Sequence, residues 1–213
     1  AASDVYKRQP MRDAKGNVLS FNGEVYNFIE LREELKAKGY AFETATDTEV
    51  ILAAYREWGE TCLSRFNGMW SIILFDAEKK KLLVSNDRIG IKQLYLWGNA
   101  QEWMLASEIK AIRSLPNFQL SIEKDVTSYF LTNGQIDLGA ETALKGVKRM
   151  KAGEFKLADF GGIPATESKP YWNFPSQIRK GVSIEDAANE LRSLLDDAVK
   201  IRTVSYTHLT LPT

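Results

Sequence analysis

The chain has 213 residues, 44% of them hydrophobic and 26% charged, which is ordinary for one large or two small globular domains. Its 28 basic and 28 acidic side chains give no formal net charge, so the basic surface of a nucleic-acid-binding protein is not indicated. The sequence also lacks an apolar stretch near the ~18 residues of a membrane span and the apolar core of a signal peptide. We therefore predict neither a nucleic-acid nor a membrane partner.

The chain contains one cysteine, Cys62, and one histidine, His208. A single cysteine excludes an internal disulfide and fits a reducing compartment, so we predict a cytoplasmic protein. Since His208 lies close to the C-terminus, the body of the chain has no Ser-His or Cys-His pair. Catalytic triads that use histidine as the base and zinc sites of the Cys/His type are thereby excluded, and we predict no metal site.

The segment Phe21–Asn27, Phe-Asn-Gly-Glu-Val-Tyr-Asn, combines a backbone signal with polar side chains. A short apolar stretch begins at Val18, and Asn-Gly is the strongest short turn signal, so we predict that a strand ends in a turn at Asn22-Gly23. A carboxamide, a glycine amide and the carboxylate of Glu24 would then lie together. Such an arrangement can place donors for a developing oxyanion, but a hairpin turn without chemistry explains the same spacing.

Two helices are predicted after this turn. Apolar residues at helical spacing predict the first over residues 28–38, with Asn27 as its N-cap. A short extended segment, 42–46, leads to Thr46-Asp47-Thr48-Glu49, which has the form of a capping box. The second helix therefore begins there, buries one apolar face and ends at Gly59.

The period then changes from that of helices to that of strands. The dense apolar run 69–75 and its shorter partner 82–85 predict a hairpin with a charged tip. Residues 91–97 and 103–106 predict a second hairpin around Gly98-Asn99. The remaining predicted elements are two short helices and a strand, at 108–115, 123–132 and 154–157.

The last third of the chain predicts a linker and a change of domain. Three prolines make 163–182 a linker. After it, residues 183–203 form an amphipathic helix, which we interpret as the first helix of a second domain. Both ends, 1–9 and 204–213, lack periodicity and resemble read-through of sequencing adaptors, so we expect them to be non-native tails that take no part in the fold.

The order of the predicted elements indicates an α+β fold. Two helices come early, a run of antiparallel strands follows, and short helices come last, which favours segregated layers. Both faces of the strand 69–75 are apolar, so its sheet needs cover on both sides. A second sheet is the natural candidate for that cover.

Four blocks of sequence resemble one family, in the family's order and with similar spacing. They are Phe21–Asn27, Thr46–Val50, Asp87–Tyr95 and Ala106–Ala111. Together they resemble the glutaminase domain of glutamine-hydrolysing asparagine synthetases, which are class II glutamine amidotransferases of the N-terminal nucleophile family. Other class II amidotransferases carry a histidine where Phe21 stands. Apart from that resemblance, Asp87-Arg88 fits a surface ion pair at the end of a strand.

The resemblance covers about residues 10–203 and implies a fold. It implies the αββα sandwich of N-terminal nucleophile hydrolases, with two antiparallel sheets, here truncated at its N-terminus. Residues 10–162 are then an incomplete class II glutamine amidotransferase domain, and 183–203 are the start of a synthetase domain.

The resemblance also implies a site. The family's nucleophile is a cysteine at the first residue of the mature chain, whose own α-amino group is the expected base, so no histidine is needed. The Asn22 carboxamide and the Gly23 N–H would form the oxyanion hole. Glutamine would be held by Asn22, Gly23, Glu24 and Asp47, with Asp47 suited to the α-ammonium group. We expect the nucleophile to lie upstream of this chain, Cys62 not to replace it, and the chain itself to be inactive.

In whole members of the family, ammonia from glutamine passes to a synthetase domain, where ATP-dependent amidation converts aspartate to asparagine. We expect ATP and Mg²⁺ in that domain and no cofactor in the present chain. The expected partners are glutamine and the synthetase domain of the same polypeptide, with a homodimer left open. Two alternatives also stay open: an amidotransferase that acts on a sugar or peptide acceptor, and a non-catalytic module that binds glutamine or a partner.

Overall fold

The computed structural model describes residues 9–99, 102–134, 139–160 and 167–204. The strands are β1 (Met11–Arg12), β2 (Val18–Val25), β3 (Gly68–Asp76), β4 (Lys81–Asn86), β5 (Tyr95–Gly98), β6 (Trp103–Ala106), β7 (Val147–Arg149), β8 (Glu154–Asp159) and β9 (Lys169–Pro170). The helices are α1 (Phe28–Ala37), α2 (Asp47–Trp58), α3 (Cys62–Arg65), α4 (Ile109–Arg113), α5 (Lys124–Asn133) and α6 (Ile184–Val204), with a 3-10 turn at Gly59–Thr61. Among these helices, none is long and apolar enough to cross a lipid bilayer.

The strands form two antiparallel sheets. The larger sheet has the order β1-β2-β3-β4-β8-β9, and the smaller has the order β6-β5-β7. The long pair at the centre, β2 and β3, runs in register from Val18 opposite Phe75 to Val25 opposite Gly68. Both predicted hairpins are therefore present, as β3-β4 and β5-β6.

Three apolar clusters separate four layers. The outer cluster joins α1 and α2 to one face of the larger sheet and includes Leu35, Ile51 and Trp70. The second cluster contains Val84 of β4 and Leu105 of β6, so it lies between the two sheets. The third packs the opposite face of the smaller sheet, with Trp97, against Ile112 of α4. The α+β prediction and the αββα layer order are confirmed.

The predicted turn at Asn22-Gly23 is wrong. β2 continues through both residues to Val25, paired with β3 throughout. Gly23 has φ 151°, and a Cβ atom there would overlap the Met69 carbonyl oxygen and lie 2.7 Å from the Trp70 Cα. Gly23 therefore permits the close approach of two strand backbones. Tertiary pairing has overridden the local turn signal.

Asn27 stands at the N-cap position of α1, but its side chain makes no capping bond to that helix. Its amide group donates to the Arg65 carbonyl oxygen at 3.0 Å, and its Oδ1 accepts from the Asn67 N–H at 2.8 Å. Asn27 thus fastens the end of β2 to the segment before β3.

The predicted capping box is half formed. The Thr46 side chain caps α2 by accepting from the Glu49 N–H at 3.4 Å. The Glu49 carboxylate accepts instead from the backbone N–H groups of Glu43 and Thr44. These bonds bend the chain at residues 43–45, so the continuous extended segment predicted over 42–46 is wrong.

Part of the predicted linker is docked on the larger sheet. β9 pairs with β8, and the hydroxyl of Tyr171 donates to the Asn86 carbonyl oxygen at 2.7 Å. Residues 163–166 of that linker lie outside the described residues, as does nearly all of the predicted tails 1–9 and 204–213.

Candidate active site

The four predicted site residues lie where β2 ends and α2 begins. Phe21 and Val25 of β2 are buried in the outer core, so Asn22 and Glu24 project from the opposite face of the strand. The Asn22 side chain is exposed and that of Glu24 is half-buried. Asp47 is the first residue of α2 and lies beside the strand rather than on it.

The Gly23 N–H points away from β3. Trp70, which faces Gly23 across the ladder, has both backbone groups bonded to Asp87: its N–H donates to Asp87 Oδ2 and its carbonyl oxygen accepts from the Asp87 N–H. Gly23 and Trp70 are thus a non-hydrogen-bonded pair, and strand alternation directs the Gly23 N–H to the other edge of β2. The Val25 N–H lies on that same edge, where it donates to Asp47 Oδ2 at 3.1 Å.

Among the residues that the structure describes, β1 pairs only with Val18 and Leu19, and the Gln9 side chain accepts from the Phe21 N–H at 2.6 Å, two residues before Gly23. Along this described part of the chain, the edge of β2 therefore presents the Gly23 N–H next to Asn22, within a few residues of two carboxylates. These are donors for an anion next to acceptors for a cation.

Asp47 is a carboxylate in an unfavourable position. Burial raises its pKa above the ordinary value of 3.8, and the nearby charge of Glu24 raises it further, while the Val25 and Thr48 N–H bonds lower it. A positively charged group placed between the two carboxylates would relieve both effects. The corner can therefore bind an ammonium group, and the peptide edge beside it can donate to a carbonyl oxygen.

Folding of α2 holds Asp47 in place. Val50, Ile51 and Ala54 of this helix are fully buried in the outer core, which fixes the helix against the larger sheet. The Thr46 cap fixes its first turn. Asp47 therefore approaches β2 from a rigid element.

Cys62 is not part of this corner. It lies in α3, only 1% exposed, within the outer core. Burial raises the pKa of its thiol far above the ordinary value. A nucleophilic cysteine needs the opposite shift, so Cys62 is a structural thiol.

A cleft of about 770 Å³ lies elsewhere, between the two sheets. Leu96 and Leu105 contribute to its apolar lining, and Lys148 and Lys156 to its charged lining. None of the four predicted residues borders it. Over the part of the chain that is described, no group of three or more His, Cys, Asp or Glu side chains could hold a metal ion.

The interpretation of Asp87-Arg88 as a surface ion pair, which the sequence allows beside the family resemblance, is wrong. Asp87 is fully buried, and its carboxylate accepts four backbone N–H bonds. The donors are Trp70, Ile89, Ile91 and Lys92. An aspartate two residues before an N–H that it can bind is typical of an Asx turn, which is the signal that could have found it. These four hydrogen bonds hold the segment after Asp87 in a turn, which also explains why β5 begins at Tyr95 and not at Ile91.

Comparison with known proteins identifies related sequences. Residues 1–172 match the family described as "Glutamine amidotransferase domain". The chain is 32% identical over 201 residues to asparagine synthetase [glutamine-hydrolyzing] 3 of Bacillus subtilis, covering 93% of this chain and 32% of that protein. It is 40% identical over 183 residues to asparagine synthetase [glutamine-hydrolyzing] 1 of the same organism, covering 85% and 28%.

A solved structure shares the fold. It is glutamine phosphoribosylpyrophosphate amidotransferase from B. subtilis, in complex with ADP and GMP, with a TM-score of 0.51 and 19% identity over 77% of this chain and 32% of that one.

A more distant relative, amidase chry2 of Gibberella zeae, is 29% identical over 91% of this chain and 28% of its own length. The chain spans about a third of the length of the curated relatives that it matches.

Proposed function

This chain belongs to the glutamine amidotransferase domain family, and on that premise we propose that it is the glutamine-hydrolysing part of a glutamine-dependent asparagine synthetase. The observation that carries the proposal is the edge of β2, where the Gly23 N–H points away from β3 and lies two residues before the Val25 N–H, which donates to Asp47 Oδ2. The relatives named glutamine-hydrolysing asparagine synthetases support the assignment of the reaction.

In the proposed complex, Asp47 and Glu24 hold the α-ammonium end of glutamine. Asp47 is poised for this role because its charge is poorly compensated in the free protein. A charged hydrogen bond of this kind contributes roughly 1.5–3 kcal/mol. The side-chain carbonyl oxygen of glutamine then lies toward Asn22 and the Gly23 N–H.

The chemical step uses a nucleophile that Cys62 does not supply. In the whole protein, the thiolate of the mature first residue attacks the amide carbon of glutamine, and the electron pair of the C=O bond moves to oxygen. The Asn22 amide and the Gly23 N–H donate to that oxyanion. The intermediate expels ammonia, which leaves with a proton from the α-ammonium group of the nucleophile, and water then hydrolyses the thioester to glutamate.

Of the rate enhancement that we assign to this chain, the Asn22 and Gly23 donors supply the largest part. A preorganised donor strengthens its bond as charge develops on the oxygen, so it acts on the transition state more than on bound glutamine. Loss of one such donor typically lowers the rate by about 10²–10³.

The acceptor chemistry is assigned to the remainder of the whole protein. ATP and Mg²⁺ would act there in the amidation of aspartate to asparagine, and no step proposed for the present chain runs through either. An amidotransferase with a sugar or peptide acceptor is the second candidate, since the relatives include one that is named an amidase and not an asparagine synthetase.

Ammonia release from glutamine by the complete gene product tests the glutaminase assignment. We expect Asn22→Ala to lower kcat by about 10²–10³. Ser20→Ala is the matched control, because Ser20 is exposed on the same face of the same strand, two residues earlier. Equal turnover in the two variants would exclude Asn22 from the reaction.

Amide-¹⁵N glutamine distinguishes the acceptors. With ATP, Mg²⁺ and aspartate present, the proposal expects the label in asparagine. Labelled ammonia without labelled asparagine would leave glutamine hydrolysis in place and reject aspartate as the acceptor.

A further inference from the structure

Helix α6 contacts the amidotransferase domain at one end, while Glu190 in its second turn pairs with Arg179 of the linker. From Ile184 to Thr203 its residues are exposed, except Ala198 and Ile201, which are half-buried. Apolar side chains such as Leu191 and Leu195 are more than half exposed along its length. The helix therefore meets the amidotransferase domain at its last turns.

Arg202 makes the contact. Its guanidinium carbon lies 5.0 Å from the centre of the Tyr26 ring. Its Nη1 donates to the Ala198 carbonyl oxygen at 2.7 Å, one turn back along the same helix. The guanidinium is thus held by α6 while it covers an aromatic face of the amidotransferase domain, the geometry of a cation–π interaction.

Tyr26 is the residue that follows β2. Its backbone N–H donates to the Asn67 carbonyl oxygen at 2.7 Å, which extends the pairing with the segment before β3. The preceding residue, Val25, donates its N–H to Asp47 Oδ2. A displacement of Tyr26 would therefore reach the Asp47 carboxylate through one peptide unit.

We propose that Arg202 is a positioning residue of the glutamine site, which it reaches through Tyr26; this inference rests on the function proposed above. Seating α6 on Tyr26 fixes the end of β2 and with it the Val25 N–H that orients Asp47. The coupling is reciprocal, because a contact that favours glutamine binding is itself favoured by bound glutamine. Glutamine occupancy is thereby coupled to the position of α6.

Hydrogen–deuterium exchange of the present chain tests the contact without any turnover. In peptides that cover residues 23–27, we expect Arg202→Ala to speed exchange about two- to five-fold, the range of an exposed cation–π pair. Arg192→Ala is the matched control, because Arg192 is exposed on the same helix. Equal exchange in the two variants would overturn the proposal.

Kinetics of the complete gene product test the positioning role. We expect Arg202→Ala and Arg202→Met to raise the KM for glutamine about two- to five-fold with little change in kcat, and Arg202→Lys to restore the wild-type KM. An unchanged KM in all three variants would overturn the positioning role even if exchange had changed. A wild type that releases no ammonia would refute the proposed function, while the exchange measurement would still decide the contact with Tyr26.

Discussion

Gly23→Ala is the substitution for which the structure gives the clearest magnitude. Gly23 has φ 151°, a region that residues with a side chain enter at a cost of about 1–3 kcal/mol. The new Cβ would also lie 2.7 Å from the Trp70 Cα, where ordinary contact begins at 3.4 Å, so two strand backbones must separate. Overpacking of this kind costs about 1–3 kcal/mol. We expect Gly23→Ala to lower the free energy of unfolding by about 2–6 kcal/mol.

Two other glycines separate these contributions. Gly39 has φ 93° and nothing within 4 Å of a Cβ, so Gly39→Ala carries strain alone. At Gly68 a Cβ would overlap the Glu24 carbonyl oxygen, with no left-handed φ, so Gly68→Ala carries overlap alone. Urea unfolding followed by tryptophan fluorescence gives the loss of unfolding free energy in all three variants. The loss in Gly23→Ala should equal about the sum of the losses in the other two. A loss no larger than that of Gly39→Ala would refute the close approach of β2 and β3.

Three further predictions concern single side chains. Asp87→Asn replaces one acceptor oxygen with a donor facing backbone N–H groups, so it should lower the free energy of unfolding by about 1–3 kcal/mol in urea titrations. An unchanged urea midpoint would contradict the burial of the Asp87 carboxylate among these N–H groups. Because the pKa of Asp47 is raised above 3.8, glutamine affinity should fall as pH falls through that raised value. The KM for glutamine should therefore rise at low pH in the wild type, and this rise should be absent in Asp47→Asn. The thiol of Cys62 should resist alkylation in the native chain and react on unfolding, as a mass shift would report; rapid native labelling would show that it is accessible.

The sequence was a good guide to periodic features. Both hairpins and the second helix follow from local periodicity and caps, which act within a few residues. The turn predicted at Asn22-Gly23 failed because Asn-Gly is a local signal, while the pairing of β2 with β3 is decided by residues far along the chain. The sequence does mark Gly23 as a special backbone position, but a glycine is needed there because two strands approach closely and not because the chain turns.

Nonlocal polar contacts were the hardest to predict. The sequence suggests a surface charge at Asp87, because the four N–H groups that donate to its carboxylate converge only after β3 and β4 pair. The contact between Arg202 and Tyr26 has no local signature at all. By contrast, Asn22 and Asp47 were placed through a resemblance, and the structure brings their segments together through the Val25 N–H.

We propose that Asn22 and the Gly23 N–H stabilise an oxyanion at the edge of β2. The γ-aldehyde analogue of glutamine tests it directly, because a thiolate adds to the aldehyde and forms a tetrahedral oxyanion that resembles the transition state. In the complete gene product, Asn22→Ala should raise the inhibition constant of this aldehyde by about 10²–10³ while the KM for glutamine changes only a few-fold. Equal changes in the two constants would show that Asn22 binds the substrate without stabilising the oxyanion, and would contradict the account.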